Sequence, residues 1–258
     1  MKYITFTNKG SLDICKNMLI SARNVGIEED ITVYVLDSHS EEELSKDFNC
    51  KLKFFDSDVD DVYHLYGSKE FKSLMLTKIQ IILQELELEE KFLYIDCDVV
   101  FKSNPEELLL LSGDMTKNSA NVFFASDSLN YHSNEAGRMI WPSPEEVCAG
   151  VMYINNIKGT KDFFNKVYEM SRIALNDSSP DSCDQMIIRN ILTNNIMPDL
   201  TYGVYPLSFI TNGHHYFSEK NTTGSEVIIH CNFRIGTNEK ITNMKETGIW
   251  YLPETVEV

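Results

Sequence analysis

FLYIDCDVVF, residues 92–101, is the stretch on which the reading of this chain turns. An apolar run ends in Asp96 and Asp98, and side chains two apart on an extended segment point the same way. Two carboxylates on one face at the end of an apolar strand repel each other and are poorly solvated, so something compensates their charge. A divalent cation fits. Hard oxygen ligands suit manganese or magnesium, with water and substrate phosphates completing the shell. A polar strand end folded into an Asx turn is the plainer alternative.

Outward from this stretch, strands alternate with helices. Lys2 to Thr7 reads as a strand, and Leu12, Cys15, Met18, Leu19, Ala22 and Val25 fall at helical spacing until Gly26. ITVYVLD ends at Asp37, a short acidic helix leads to KLKFFD, and an amphipathic helix from about Lys69 to Leu88 precedes FLYID. Downstream, Asn104-Pro105 opens a short helix, NVFFASD is a strand, and the loop from Ser128 to Glu146 is long enough to be functional. VCAGVMYIN is a strand, Thr160 to Leu175 a helix, and a further helix follows Pro180, capped by Asp181 or Ser182. Beyond Thr201 the chain is aromatic and turn-rich until the strand EVIIH. This order predicts an α/β fold: a mostly parallel sheet with helices on both faces and a less regular second half, in one domain over 1–258. Residues 1–127 and 128–258 form its two halves.

Composition narrows the function. Acidic residues exceed basic ones by 16 with no basic stripe, which disfavours nucleic acid or an anionic membrane as partner. No apolar stretch reaches the length of a signal core or a membrane span, so the expectation is a soluble cytoplasmic protein. Cys15, Cys50, Cys97, Cys148, Cys183 and Cys231 lie far apart without a CxxC, as reduced thiols do.

In an open parallel sheet, ligands bind beyond the carboxyl ends of the strands. Thr5, Thr7 and Asn8, Asp37, Asp96 and Asp98, Asp127, and His230 with Asn232 all sit at such ends. VIIHCNFRIGTNEK, residues 227–240, adds Gly236 and Lys240. An imidazole can join a manganese shell, a glycine lets backbone amides approach a phosphate, and a lysine neutralises it. A buried, backbone-bonded histidine and an exposed lysine are the bland reading of the same residues.

The chain resembles nucleotide-sugar glycosyltransferases of the GT-A fold, close to the nucleotide-diphospho-sugar transferase group and more distantly glycogenin and bacterial galactosyltransferases. The resemblance runs through TFTN, Lys78 one helix before the DxD, YIDCDVVFKSNP, CAGVMYIN, Asp184-Gln185 and HCNFRIGTNEK, in order. It implies Asp96, Asp98 and His230 as ligands of manganese (or magnesium). Lys240 and the backbone near Gly236 would hold the diphosphate, with Thr5, Thr7, Asn8 and Cys97 at the nucleotide. Lys78, Asp127, Cys148, Ala149, Gly150, Asp184 and Gln185 would line the donor sugar, the last two nearest the reaction, with Asn232 beside them. Lys78 has a second reading as a helix-surface charge, and Asp184 as a dipole complement in a first helical turn. Two departures stand out: the family's asparagine before A-G-V is Cys148, and its tryptophan after DxDVV is Phe101.

The implied reaction moves a hexose or pentose from a nucleoside diphosphate, UDP in preference to GDP, to a hydroxyl of a glycan or glycoconjugate, with retention as in most of the resembling enzymes; inversion, with Asp184 or an acid of loop 128–146 as base, is the open alternative. A haloacid-dehalogenase-type phosphatase using Asp96 as nucleophile is the competing enzyme, although its motif lies near the start of its fold and three strand-like segments precede Asp96 here. A non-catalytic sugar-binding module is the third reading. Loop 128–146, with Trp141, and GHHYF, residues 213–217, are candidates for the acceptor side.

Overall fold

The computed structural model describes residues 1–57, 62–64, 66–106, 120–129, 143–177 and 182–253. The helix expected after Pro105, most of loop 128–146 including Trp141, and Asp181 lie outside the described residues.

The chain opens with β1 (Tyr3–Thr7), α1 (Leu12–Asn24), β2 (Ile31–Val35), α2 (Ser38–Asp47), β3 (Lys51–Phe54), α3 (Lys69–Glu85) and β4 (Lys91–Ile95). Local chemistry sets several boundaries. Gly26 at φ +79° follows α1, a left-handed conformation that costs a glycine little. The Ser68 hydroxyl accepts the Phe71 N–H at 3.0 Å to cap α3. Asp37 caps α2 by accepting the Ser40 N–H at 2.8 Å, and its other oxygen accepts the Lys9 N–H at 2.8 Å. That strand-end carboxylate is therefore spent on local structure.

Beyond β4 come β5 (Val99–Phe101), β6 (Val122–Ser126), β7 (Val147–Asn155), α4 (Thr160–Ala174), α5 (Asp184–Thr193), β8 (Tyr202–Val204), β9 (Ile210–Asn212), β10 (Ile228–His230) and α6 (Thr237–Glu246). Seven strands form the main sheet in the order β3-β2-β1-β4-β7-β6-β8. It is mostly parallel, but β7 runs antiparallel to both β4 and β6. The short strands β8 and β9 and the π-helical turn His214–Glu219 lie within the segment that reads in sequence only as aromatic and turn-rich. α5 begins at Asp184 with Cys183 as its cap residue, rather than with Asp181 or Ser182, and the Ser182 hydroxyl donates to Asp177 instead.

Apolar layers cover both sheet faces. α1 packs Leu12, Cys15, Met18, Leu19 and Ala22 onto one; α3, α4 and α5 cover the other with Ile79, Ile82, Phe163, Phe164, Val167, Ile187 and Ile188. Burial of this kind contributes roughly 25 cal/mol per Å² of apolar surface. A second, three-stranded sheet, β5-β10-β9, joins strands from both halves of the chain and carries its own small core of Ile14, Val100, Phe217, Ile229 and Met244.

Candidate active site

The aspartates do not share one face of an extended segment. Residues 96–98 form the turn by which the chain leaves β4 in the main sheet and enters β5 in the second. The turn, rather than strand alternation, makes their carboxylates converge. β10 pairs antiparallel with β5 so that His230 stands opposite Val99, and the Cys231 N–H donates to the Asp98 carbonyl at 2.9 Å. On the other side, the Asp96 N–H donates to the Gly150 carbonyl at 2.7 Å.

One carboxylate oxygen from each of Asp96 and Asp98 and one ring nitrogen of His230 lie within 4.8 Å of one another. Asp96 Oδ1 accepts the Tyr94 phenol at 2.7 Å and lies 3.2 Å from Lys78 Nζ, so Oδ2 remains for another partner. Asp98 Oδ2 is held by Lys240 Nζ at 2.6 Å. Its Oδ1 is buried without a hydrogen bond, 3.3 Å from His230 Nε2. Gly150 makes the space: a Cβ there would lie 2.1 Å from the His230 ring and 3.0 Å from Asp96 Oδ2. An orphaned buried carboxylate oxygen, an imidazole and a second carboxylate in a gap only glycine leaves open fit manganese or magnesium. Burial pushes the Asp96 carboxyl up against the pull of Lys78, with the Asp98 charge adding to the rise. Asp98 is also buried, yet Lys240 and His230 hold it well below the usual carboxylate range.

A second group of polar side chains adjoins the first. Lys78 is 1% exposed, not a helix-surface charge; Nζ lies 3.0 Å from Asp184 and donates to the Ala149 carbonyl at 2.7 Å. Burial opposes its charge, but Asp184 and Asp96 hold its pKa above that of a free lysine. Gln185 accepts the Ala149 N–H at 3.1 Å and donates to Asp127 at 3.0 Å. Asp127 is further bound by Arg189 at 2.6 Å and Asn232 at 3.1 Å. Cys148 Sγ lies 3.5 Å from His230 Nδ1.

At the far end, Phe6, Asn8, Ser11 and Tyr63 form the wall. Thr5 and Thr7 do not: both are wholly buried, because strand alternation turns Phe6, not the threonines, toward the opening. The Thr7 hydroxyl pairs with Ser11 at 3.0 Å. Gly236, at φ +93°, precedes α6, and its N–H donates to the Tyr63 phenol at 3.0 Å. Cys97 lines the same opening. Phe6, Asn8, Ser11, Tyr63, Lys78, Asp96, Cys97, Asp98, Asp127, Cys148, Asp184, Gln185, His230, Asn232 and Lys240 border one cavity of about 430 Å³, within the usual range of small-molecule sites.

Sequence reasoning missed Tyr94, Arg189, Phe6 and Tyr63. The first two carried a signal: Tyr94 stands two residues before Asp96 on one strand, and Arg189 lies one helical turn after Gln185.

A family model described as nucleotide-diphospho-sugar transferase matches residues 27–244. The chain is 25% identical over 205 residues to UDP-D-xylose:L-fucose alpha-1,3-D-xylosyltransferase of Arabidopsis thaliana, covering 73% of this chain and 52% of that one. It is 25% identical over 207 residues to UDP-galactose:fucoside alpha-3-galactosyltransferase of Dictyostelium discoideum, covering 72% and 29%. The chain thus spans about half the length, or less, of these curated relatives. Among solved structures, the galactosyltransferase LgtC with donor and acceptor sugar analogs superposes with a TM-score of 0.59 at 12% identity, over 98% of each chain. That likeness shows a shared GT-A fold.

Proposed function

This chain belongs to the nucleotide-diphospho-sugar transferase family, and from that premise we propose that it is a metal-dependent glycosyltransferase using a UDP-sugar, with xylose or galactose as the transferred sugar and a fucose-bearing glycan as acceptor. The donor and acceptor classes come from the names of its relatives. The observation that carries the reading is the juxtaposition, in one cavity, of the Asp96–Asp98–His230 cluster with Lys240 on one side and Lys78, Asp184 and Gln185 on the other. A diphosphate needs positive charge that so acidic a protein supplies only locally. Bound manganese or magnesium, held by Asp96, Asp98 and His230, would stabilise the charge that grows on the leaving diphosphate.

The chain's own groups take the remaining parts. Lys240, now on Asp98, stands at the amino end of α6, where backbone N–H groups and the helix dipole favour a phosphate. Lys78 fixes Asp96 and Asp184 together, so the carboxylate that would meet a sugar hydroxyl is locked to the one that would meet the cation. Gln185 has its amide oxygen on Ala149 and its nitrogen on Asp127, which leaves it a rigid neutral wall and not a base.

The same contacts support retention by same-face transfer. Inversion needs a carboxylate base and a double displacement a carboxylate nucleophile, and among the described residues Asp184 is paired with Lys78 while Asp127 is paired with Arg189. Same-face transfer needs none: the sugar C1–O(phosphate) bond breaks, the acceptor oxygen bonds to C1, and the acceptor proton passes to the departing phosphate oxygen. The family match gives no support to a phosphatase with Asp96 as nucleophile.

Assaying UDP-xylose, UDP-galactose and GDP-sugars with fucosides, with manganese and with chelator, tests this reading. Transfer from a UDP-sugar that stops in chelator is expected. Equal turnover in chelator overturns the metal role, and no turnover of any UDP-sugar overturns the donor class.

A further inference from the structure

A histidine binds a metal through Nε2 only when that nitrogen keeps its lone pair, which requires the proton to sit on Nδ1 and to find an acceptor there. In this chain the atom within reach of His230 Nδ1 is a sulfur, Cys148 Sγ at 3.5 Å. The same sulfur lies 3.7 Å from Asn232 Nδ2. Both neighbouring nitrogens carry hydrogens in that state, so the sulfur accepts from both. Asn232 cannot drift away, because its amide nitrogen also donates to Asp127 at 3.1 Å and its oxygen accepts the Gly213 N–H at 2.8 Å.

β7 organises this arrangement. Cys148 and Gly150 lie where the register of that strand with β6 shifts, and both face the His230 ring. Gly150 removes the bulk that would strike the imidazole at Cε1 and Nε2, and Cys148 meets the same ring at Nδ1. We propose that Cys148 is a positioning residue of the metal site: its sulfur accepts the His230 Nδ1–H and aims Nε2 at the gap between Asp96 and Asp98. The inference rests on the metal reading above.

Side-chain length makes the test sharp. A serine oxygen stands about 0.4 Å closer to its own Cβ than a sulfur does and falls short of Nδ1, whereas an asparagine oxygen reaches about 0.6 Å further and arrives at ordinary hydrogen-bond distance. Binding of manganese ion alone, read from loss of the free-ion electron paramagnetic resonance signal, is compared for the unchanged chain and for Cys148→Ala, Cys148→Ser and Cys148→Asn. Loss of an outer-shell partner weakens metal affinity about 10- to 100-fold, and that loss is expected in the alanine and serine variants, with asparagine restoring affinity to within about threefold. Melting in chelator identifies any variant that fails to fold, and the serine variant then stands in for alanine. Alanine or serine variants that bind manganese as tightly as the unchanged chain overturn the role of Cys148 alone, as does an asparagine variant no better than alanine. An unchanged chain that binds no manganese overturns the metal reading and this inference together.

Discussion

Two of the charges that helix α3 buries, Lys78 and Glu85, stand seven residues apart on one face, and their environments have opposite outcomes. Glu85 is fully buried and is saturated: Lys2 and Lys53 each approach at 2.6 Å, and the Tyr34 phenol donates as well. Lys78, two turns earlier, is as deeply buried, but it stands among carboxylates that outnumber it and borders an open cavity. The Glu85 cluster closes on itself. The Lys78 cluster sets two carboxylates, Asp96 and Asp184, on one ammonium and opens to the cavity. The same helix, with the same burial, thus serves stability at one end and, in the proposed reaction, ligand recognition at the other.

Removing a charge at each place should therefore break different things. Asp98→Ala deletes the orphaned oxygen and the Lys240 partner together; loss of transferase activity by about a thousandfold or more is expected, with a melting temperature in chelator near that of the parent. A large fall in melting temperature would instead make Asp98 part of the scaffold. Lys78→Met should lower kcat/KM about a hundredfold, since it frees Asp96 and Asp184 from each other. Lys78→Arg should recover part of that, and full activity in the methionine variant would remove Lys78 from the site.

Glu85→Gln reverses the pattern. Breaking a buried ion pair costs about 3–5 kcal/mol, and the partial exposure of Lys2 and Lys53 reduces the expectation to about 2 kcal/mol, read from the denaturant midpoint, with activity per folded molecule unchanged. The same residue carries a pH signature. Burial works against the Glu85 carboxylate, but Lys2, Lys53 and Tyr34 hold its pKa below the ordinary 4.5. A depressed carboxyl pKa contributes stability that is present above the unfolded value and lost as pH falls through the folded one. Between pH 6 and pH 3 the parent should lose more stability than Glu85→Gln; parallel curves would mean the cluster contributes nothing. The smallest effect belongs to Tyr94→Phe, which leaves Asp96 Oδ1 on Lys78 alone. A fall in kcat/KM of about tenfold is expected, and none at all would make the phenol a bystander.

The main frame was legible in the sequence because its elements are long and periodic: VCAGVMYIN is β7 from end to end, and the helical spacing of Leu12 to Val25 returns as α1. The direction of β7 was not legible, since hydrophobic pattern is blind to whether a strand runs with or against its neighbours. β5, β8, β9 and β10 span three residues each, too few to show a period. The site shows the same divide. Asp96, Asp98, His230, Lys78, Asp184, Gln185, Asp127 and Lys240 meet at one cavity, and each is a charged or polar residue at a strand end, in a first turn or on a helix face. Thr5 and Thr7 were misplaced because both faces of β1 are covered, so polarity does not tell which face opens to ligand. Tyr63 comes from a loop, where no period indicates which side chain turns inward.

The pairing of β5 with β10 sets a schedule as well as a geometry. Asp98 and His230 are more than a hundred residues apart in sequence, and the strand that delivers the imidazole is the last of the described strands. Contacts so distant along the chain form late in folding, and during synthesis β10 emerges after every other described strand. A nascent chain therefore holds two crowded aspartates with no imidazole beside them until β10 has been made. Under the proposed metal reading, the pocket becomes competent for a cation in the same step that seals the second sheet, so a chain that has not yet paired β10 has no assembled site with which to sequester metal or donor.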